Sequence, residues 1–318
     1  MKRLCAAALV FVAVSAGAQQ FPTRPVRLVV PFAPGGSADL VARVLGQKLN
    51  ESWGQQVIVD NRPGGSGMIG NELVAKSAPD GYTLTVGTMG PFSVNQTLFD
   101  KVPYDNVKDF APVTLTGIAS HILVAHPSAA VETVNELIAL ARVKPGQLAF
   151  ASSGSGNATH LTLELFKVMA KVDVVHVPYK GGGPAMADLV GGQVLFSFAS
   201  MPSALPYVQA GRLRAIAVSG GQRSPLFPSV PTVAEAALPG FESQDWQGIL
   251  APARTPADVI ARLNADLVRI LGLPEIKSKL AGVGFDVKTS TPQWFADFIR
   301  AETAKWARVL KQSGTKAE

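Results

Sequence analysis

Apolar positions along the chain follow two patterns that alternate. Short apolar runs at 27–31, 57–59, 83–87, 148–151, 172–176, 194–198 and 214–219 predict β-strands. Between them, apolar residues recur every three or four positions at 37–52, 68–77, 134–144, 160–170, 184–190 and 203–210, which predicts amphipathic helices. Strand–helix alternation of this kind predicts an α/β protein with mostly parallel sheets and helices on both faces. The alternation occurs in two series, from Val26 to about Asp109 and from about Thr133 to Ser219. Between them lies FAPVTLTGIASHILVAHP (110–127), a long extended segment, and DWQGILAPARTP (245–256) after the second series is another. Three more helices are predicted over 256–271, 274–281 and 292–312, each opening near a proline, which a first helical turn tolerates. Two extended crossings between two α/β series are what a hinged, two-lobed protein needs. Lobe 1 is expected over 19–121 and 246–318, and lobe 2 over 122–245. No tandem repeat of 20–50 residues and no low-complexity linker interrupts the pattern.

The first 18 residues stand apart. Lys2 and Arg3 precede an apolar run, Leu4 to Val14, and Ala16-Gly17-Ala18 supplies a small-x-small cleavage signal, so a signal peptide ending at Ala18 is expected. The run is short for a membrane span, and no later stretch of 18 uninterrupted apolar residues occurs. Cys5, the only cysteine, lies inside this leader and ahead of its apolar run, too early for a lipid-attachment site. The mature chain is then expected to lack disulfides, thiol nucleophiles and thiolate metal sites, which suits a periplasmic protein with a core large enough to need no staples. With 318 residues, 47% hydrophobic and 16% charged, the balance is that of an ordinary globular protein. The 29 Lys and Arg, less the two in the leader, stand against 23 Asp and Glu, leaving a mild +4. The basic residues are scattered, so no nucleic-acid partner is expected, while a small anionic ligand fits.

In an open α/β sheet, ligands bind beyond the carboxyl ends of the strands. The first such loop, FAPGGSAD (32–39), places Phe32, Ala33, Pro34, Gly35 and Gly36 ahead of a helix starting near Ser37 or Asp39. Its glycines allow close backbone approach, and the helix start offers free N–H groups to an anion. It lacks the Gly-Lys-Ser/Thr of a nucleotide-phosphate loop, and a plain tight turn with a cap is the alternative. NRPGGSGMIGN (61–71) contains a formal dinucleotide fingerprint, rejected because no Asp or Glu follows the next strand where a ribose needs one. GTMGPFS (87–93) reads as an uncharged loop in which Thr88 and Ser93 offer hydroxyls beside Met89. FASSGSGNATHL (150–161) repeats the logic of the first loop in the second lobe: Ser153, Gly154, Ser155 and Gly156 form a polar turn, and Asn157 and Thr159 are placed to cap the next helix, which His160 opens. Two helix N-termini, one per lobe, facing each other across a cleft would each hold a carboxylate. HVPYKGGGPAM (176–186) offers the ring and hydroxyl of Tyr179, the movable charge of Lys180 and the flexible Gly181, or is a surface turn. The last loop, SFASMPSA (197–204), carries Ala199 and Ser200.

Other chemistries lack their residues. No Gly-x-Ser-x-Gly elbow appears, and His121, His126, His160 and His176 show no metal-binding spacing. No catalytic residue, metal or cofactor is expected.

Five segments in order, PTRPVRLVVPFAPGGSADLVAR, VDNRPGGSGMIGNELVAKSAPDGYTL, ASSGSGNATHLTLELF, VPYKGGGPAMADLVGGQV and MPSALPYVQAGRLRAIAVS, resemble the Bug-type extracytoplasmic solute receptors. These are the substrate-binding proteins of tripartite tricarboxylate transporters, and the resemblance runs from about Pro22 to the C-terminus. It implies a two-lobed periplasmic-binding-protein fold of the type II-like Venus-flytrap kind. It implies a ligand among dicarboxylates, tricarboxylates, acidic amino acids and aromatic acids. It also implies that Phe32 to Asp39 and Ser153 to His160 grip one carboxylate, partly through ordered waters, while Tyr179 to Gly181 and the loop after Phe198 shape the distal end. Many relatives carry Asp where this chain has Ala199, and its loss disfavours an amino-acid ligand. The expected partners are a small carboxylate and the membrane permease subunits of such a transporter, or a membrane sensor kinase reading the same closed surface. A periplasmic enzyme and a structural envelope protein are the rival classes. A hinging receptor is expected to be a monomer.

Overall fold

The computed structural model describes residues 21–313, and the leader expected over 1–18 lies outside them. In one lobe, β1 (Val26–Val30), β2 (Val57–Asn61) and β3 (Thr83–Thr88) run parallel in the order β2-β1-β3. In the other, β5 (Ala149–Ser152), β6 (Val175–Pro178) and β7 (Phe196–Ser200) are parallel in the order β7-β5-β6. One strand joins them. β4 (Phe110–Ala125) pairs over 110–120 with β9 (Gln244–Pro252), which itself lies against β3, and over 121–125 with β7 and β8 (Arg214–Val218). The short β10 (Phe285–Val287) also pairs with β4. Each lobe therefore keeps the expected parallel centre, and the sheets become mixed because the joining strands run antiparallel to it. The return path hugs β4: Ser219 N donates to the His121 carbonyl at 2.8 Å, and Ser243 N donates to the Ser219 carbonyl at 2.9 Å. β9 starts immediately after.

Helices cover both faces because their apolar stripes need burial. In α1 (Ser37–Trp53), Val41, Leu45 and Leu49 are spaced by four and pack with Leu28, Val86 and α9 (Ala257–Gly272), with α10 (Pro274–Ala281) completing that layer. The opposite layer comprises α2 (Met68–Ala75), α3 (Asn95–Leu98) and α11 (Pro292–Ser313), packed around Val29, Phe92, Phe110, Trp246 and Phe295. The second lobe stacks Phe150 on Phe196 with centroids 5.2 Å apart, under α4 (Val134–Val143), α5 (Ala158–Ala170) and α8 (Val233–Ala236). α6 (Gly182–Val190) and α7 (Met201–Gln209) close its other face over Ala151 and Ala199.

The segment 87–93 reads as a loop in sequence, yet the chain coils there into a wide helical turn, Gly90–Val94, that runs into α3. Phe92 and Val94 are fully buried, and their insertion beside Tyr104 and Phe110 outweighs the local turn signal. Elsewhere, expected and observed element ends differ mostly by one to three residues, where hydrogen-bond pairing rather than hydropathy ends the element.

Candidate functional site

β1 ends at Val30 and α1 begins at Ser37. Between them Gly35 takes φ +85°, a left-handed conformation that favours glycine. The N-cap of α1 is Gly36, with no side-chain cap, so the first N–H groups of the helix lack an intrahelical or capping partner. Asp39 serves this turn from behind. Its carboxylate accepts from Gly35 N, Arg43 Nε and Asn61 Nδ2, each at 3.0 Å. Burial works to raise its pKa, but these hydrogen bonds outweigh burial and hold the group below the usual carboxylate range.

The second-lobe loop is tied by its own side chains. Thr159 Oγ1 accepts from Ser153 N at 2.9 Å, Ser152 Oγ from Gly154 N at 3.1 Å, and His160 Nδ1 from Gly156 N at 3.0 Å. Asn157 Nδ2 donates to the Ser153 carbonyl at 3.0 Å, while its Oδ1 packs over Gly90. At the other two loops, α6 begins at Gly182 and α7 follows Ser200, whose Oγ lies 2.7 Å from Ser203 Oγ.

A cavity of about 50 Å³ lies where these four helix starts meet. Its walls include Ser37 and Ala38 of α1, Ala158 and Thr159 of α5, Gly182 of α6, and Ser200 and Ser203 at α7. Each helix N-terminus carries roughly half a positive charge and unpaired N–H donors. Among the described residues, no lysine or arginine lines the cavity, and the titratable side chains there are His121 and Asp245. The wall between the lobes is a row of polar residues across the joining strands. Thr88 is paired with Gln247, Asp245 with Ala119, and His121 with Ser200. Since side chains alternate along a strand, Asp245 and Gln247 share one face of β9, and His121 shares that face through Ala119 of β4.

The lobes touch beside the cavity. Ala33 N donates to the Lys180 carbonyl at 2.9 Å, and Gly36 lies against Gly182. These are backbone contacts, which the run of glycines on both sides permits.

Of the residues singled out in sequence, Phe32, Gly36, Ser37, Thr88, Ser153, Asn157, Thr159, Ala199 and Ser200 line the cavity. Others lie apart from its wall. Ala33, Pro34, Gly35, Lys180 and Gly181 make the contact between lobes. Met89 is buried in the apolar core, and Gly154, Ser155 and Gly156 form the bend behind Ser153. Tyr179 Oη donates to Asp188 Oδ2 at 2.7 Å; burial first, then this bond, pushes its pKa up to about 12. His160 stacks on His176 with centroids 4.0 Å apart. Sequence reasoning missed His121, Asp245 and Gln247, which sit in segments read only as hinge. The available signal was a pair of polar residues two apart, Asp245 and Gln247, at the start of a strand whose remainder, Gly248 to Pro252, carries no polar side chain.

Two α/β lobes sharing one strand, with a cavity of mixed polar and apolar lining between them, define a binding protein of the periplasmic receptor class. The chain belongs to one family of that class: the profile described as tripartite tricarboxylate transporter family receptor matches residues 41–315. It is 37% identical to protein BugT of Bordetella pertussis over 322 residues, covering 99% of each chain. Among solved structures, it matches an R. palustris protein with adipate at a TM-score of 0.91 and 37% identity, covering 94% of this chain and 100% of that one. It matches MatC from Rhodopseudomonas palustris with bound malate at a TM-score of 0.86 and 34% identity, covering 91% and 100%. The Bug-type resemblance and the two-lobed fold are therefore those of the family. Among the described residues, no helix is long and apolar enough to cross a membrane, and no group of three or more His, Cys, Asp or Glu is placed to hold a metal ion.

Proposed function

We propose that this receptor takes a small carboxylate into the cavity, closes its lobes over it and presents the closed form to the permease subunits of a tripartite tricarboxylate-type transporter. The observation that carries the reading is the meeting of four helix N-termini and several hydroxyls around a cavity that no lysine or arginine among the described residues lines. Such a site holds a carboxylate with neutral donors and breaks no bond, so no enzymatic step is assigned. The adipate and malate in the two matched structures support that ligand class. In this reading lobe 1 comprises 19–121 and 246–318, lobe 2 comprises 122–245, and β4 is the hinge. The leader directs export to the periplasm, and the receptor works as a monomer.

The test is a thermal-shift screen on mature protein unfolded and refolded to strip any carried ligand. A carboxylate at a hundred times its dissociation constant stabilises by about 2.7 kcal/mol, a shift of a few degrees. A hit among mono-, di- and tricarboxylates, acidic amino acids or aromatic acids supports the reading. No shift across the panel overturns the carboxylate assignment and leaves the fold untouched.

A further inference from the structure

The cavity wall holds more hydrogen-bond acceptors than a plain carboxylate can use. Among the described residues, Asp245 Oδ1, His121 Nε2 and Gln247 Oε1 are buried and find no hydrogen-bond partner, and all three residues line the cavity. A buried polar atom left unpaired is costly, so three on one face of the paired strands β4 and β9 point to a ligand group that pairs them. Each is an acceptor for a structural reason. Gln247 Nε2 already donates to Ser37 Oγ at 2.7 Å, which leaves its carbonyl oxygen as the unpaired acceptor. Thr162 Oγ1 donates its one proton to the Ala158 carbonyl at 2.8 Å, so it accepts from His121 Nδ1–H at 3.0 Å. That tautomer puts the lone pair of the neutral ring on Nε2. Burial pushes His121 down to about 4, so the ring is neutral at physiological pH. The third acceptor is a carboxyl oxygen.

Resting on the receptor reading above, we propose that the bound carboxylic acid also carries an ammonium group, whose three N–H bonds are received by Asp245 Oδ1, His121 Nε2 and Gln247 Oε1. The ligand then lies with its carboxylate toward the helix starts and its cation toward the β4–β9 wall. A ligand hydroxyl, with one proton, would leave two acceptors unpaired. The absence of an acid at Ala199, which by itself disfavours an amino acid, is made good from a different strand by Asp245.

The charges around Asp245 agree with this arrangement. Its carboxyl is pushed up to about 7, chiefly by burial, with the Met89 and Trp246 backbone N–H groups opposing the rise. His121 lines the same cavity, and Glu164, Glu242, Lys288, Glu302 and Lys305 line a second groove that Asp245 also borders. An empty site near pH 6 therefore holds a proton on Asp245, and an incoming ammonium displaces it.

The experiment compares matched pairs of acids differing only by the amino group: propionate with alanine, succinate with aspartate, glutarate with glutamate, adipate with α-aminoadipate, and hydrocinnamate with phenylalanine. Titration calorimetry on stripped full-length mature protein is run near pH 6 in two buffers of different ionisation enthalpy. The expected result is one pair whose amino member binds at least about tenfold tighter, with net proton release. In Asp245→Asn the preference collapses and the proton release vanishes, while the amino-free member still binds; a merely structural role would weaken both members equally. An amino-free acid binding as tightly as or more tightly than its partner overturns the ammonium proposal and keeps the carboxylate receptor. No binding in any pair overturns the ammonium proposal and, joined to a blank thermal-shift panel, the carboxylate reading as well.

Discussion

The backbone N–H of Ala33 donates to the carbonyl of Lys180 across the cleft, 2.9 Å away, so the two lobes are joined main chain to main chain. Glycine makes this approach possible. Gly183 sits so close to Pro34 that a Cβ there would lie 3.1 Å from the Pro34 carbonyl carbon and nearer still to its oxygen.

Gly183→Ala should therefore hold the lobes apart. The substitution favours the first turn of α6, so the empty protein is expected to be unchanged or up to about 1 kcal/mol more stable. Ligand affinity is expected to fall by about tenfold or more, since the closed form that grips the ligand is disfavoured. Thermal melts of the empty protein and calorimetric titration with its ligand check both halves.

With no lysine or arginine among the described residues lining the cavity, ligand binding should depend weakly on salt. Raising sodium chloride from about 0.05 to about 0.5 M is expected to change the dissociation constant by less than about threefold, because helix ends in a shielded cavity are poorly screened. Lys180→Ala is likewise expected to leave affinity within about twofold, since the lysine meets the other lobe through its carbonyl. Titrations at the two salt concentrations and on the variant decide the matter.

Asp245 gives the empty protein a pH signature. Its pKa is raised on folding, to about 7, above the carboxylate range of an unfolded chain. The folded state thus holds a proton that the unfolded state gives up, and this contribution to stability is present at low pH and lost as pH rises from about 4 through about 7. Asp39 works in the opposite sense: its lowered pKa supplies stability above the ordinary carboxylate range and loses it in acid. The difference between wild type and Asp245→Asn isolates the first effect. The variant's relative stability should rise steadily from pH 4 to pH 8 in urea titrations and then level off.

Phe150 is fully buried in the second lobe, stacked on Phe196 at 5.2 Å and near Phe166 and Phe198 at 6.4 Å each. Phe150→Ala is expected to cost about 3–5 kcal/mol, read from the shift of the urea midpoint at constant slope.

The α/β class, the two series and the order of nearly every element follow from periodicity, because burying one face of a helix or both faces of a strand leaves a local pattern. Five of the six loops after strands brought residues to the cavity for a related reason: in this architecture the strand ends and helix starts meet there. The side chains of Asp39, Tyr179 and His160 carry binding-type chemistry, yet the fold spends them on Gly35, Asp188 and His176. Residue type alone cannot distinguish a group aimed at a ligand from one aimed at its neighbour.

The sequence by itself thus determined most of the elements and the two-lobed plan. Only the tertiary structure decided which acceptors come together at the cavity wall. His121 belongs to β4 and Asp245 to β9, and they share a face because of a register in which Ala119 pairs with Asp245. Gln247 is oriented by Ser37, 210 positions earlier in the chain. Hydropathy records the burial of a residue against its near neighbours. It carries no record of the strand register that brings distant polar atoms to one wall.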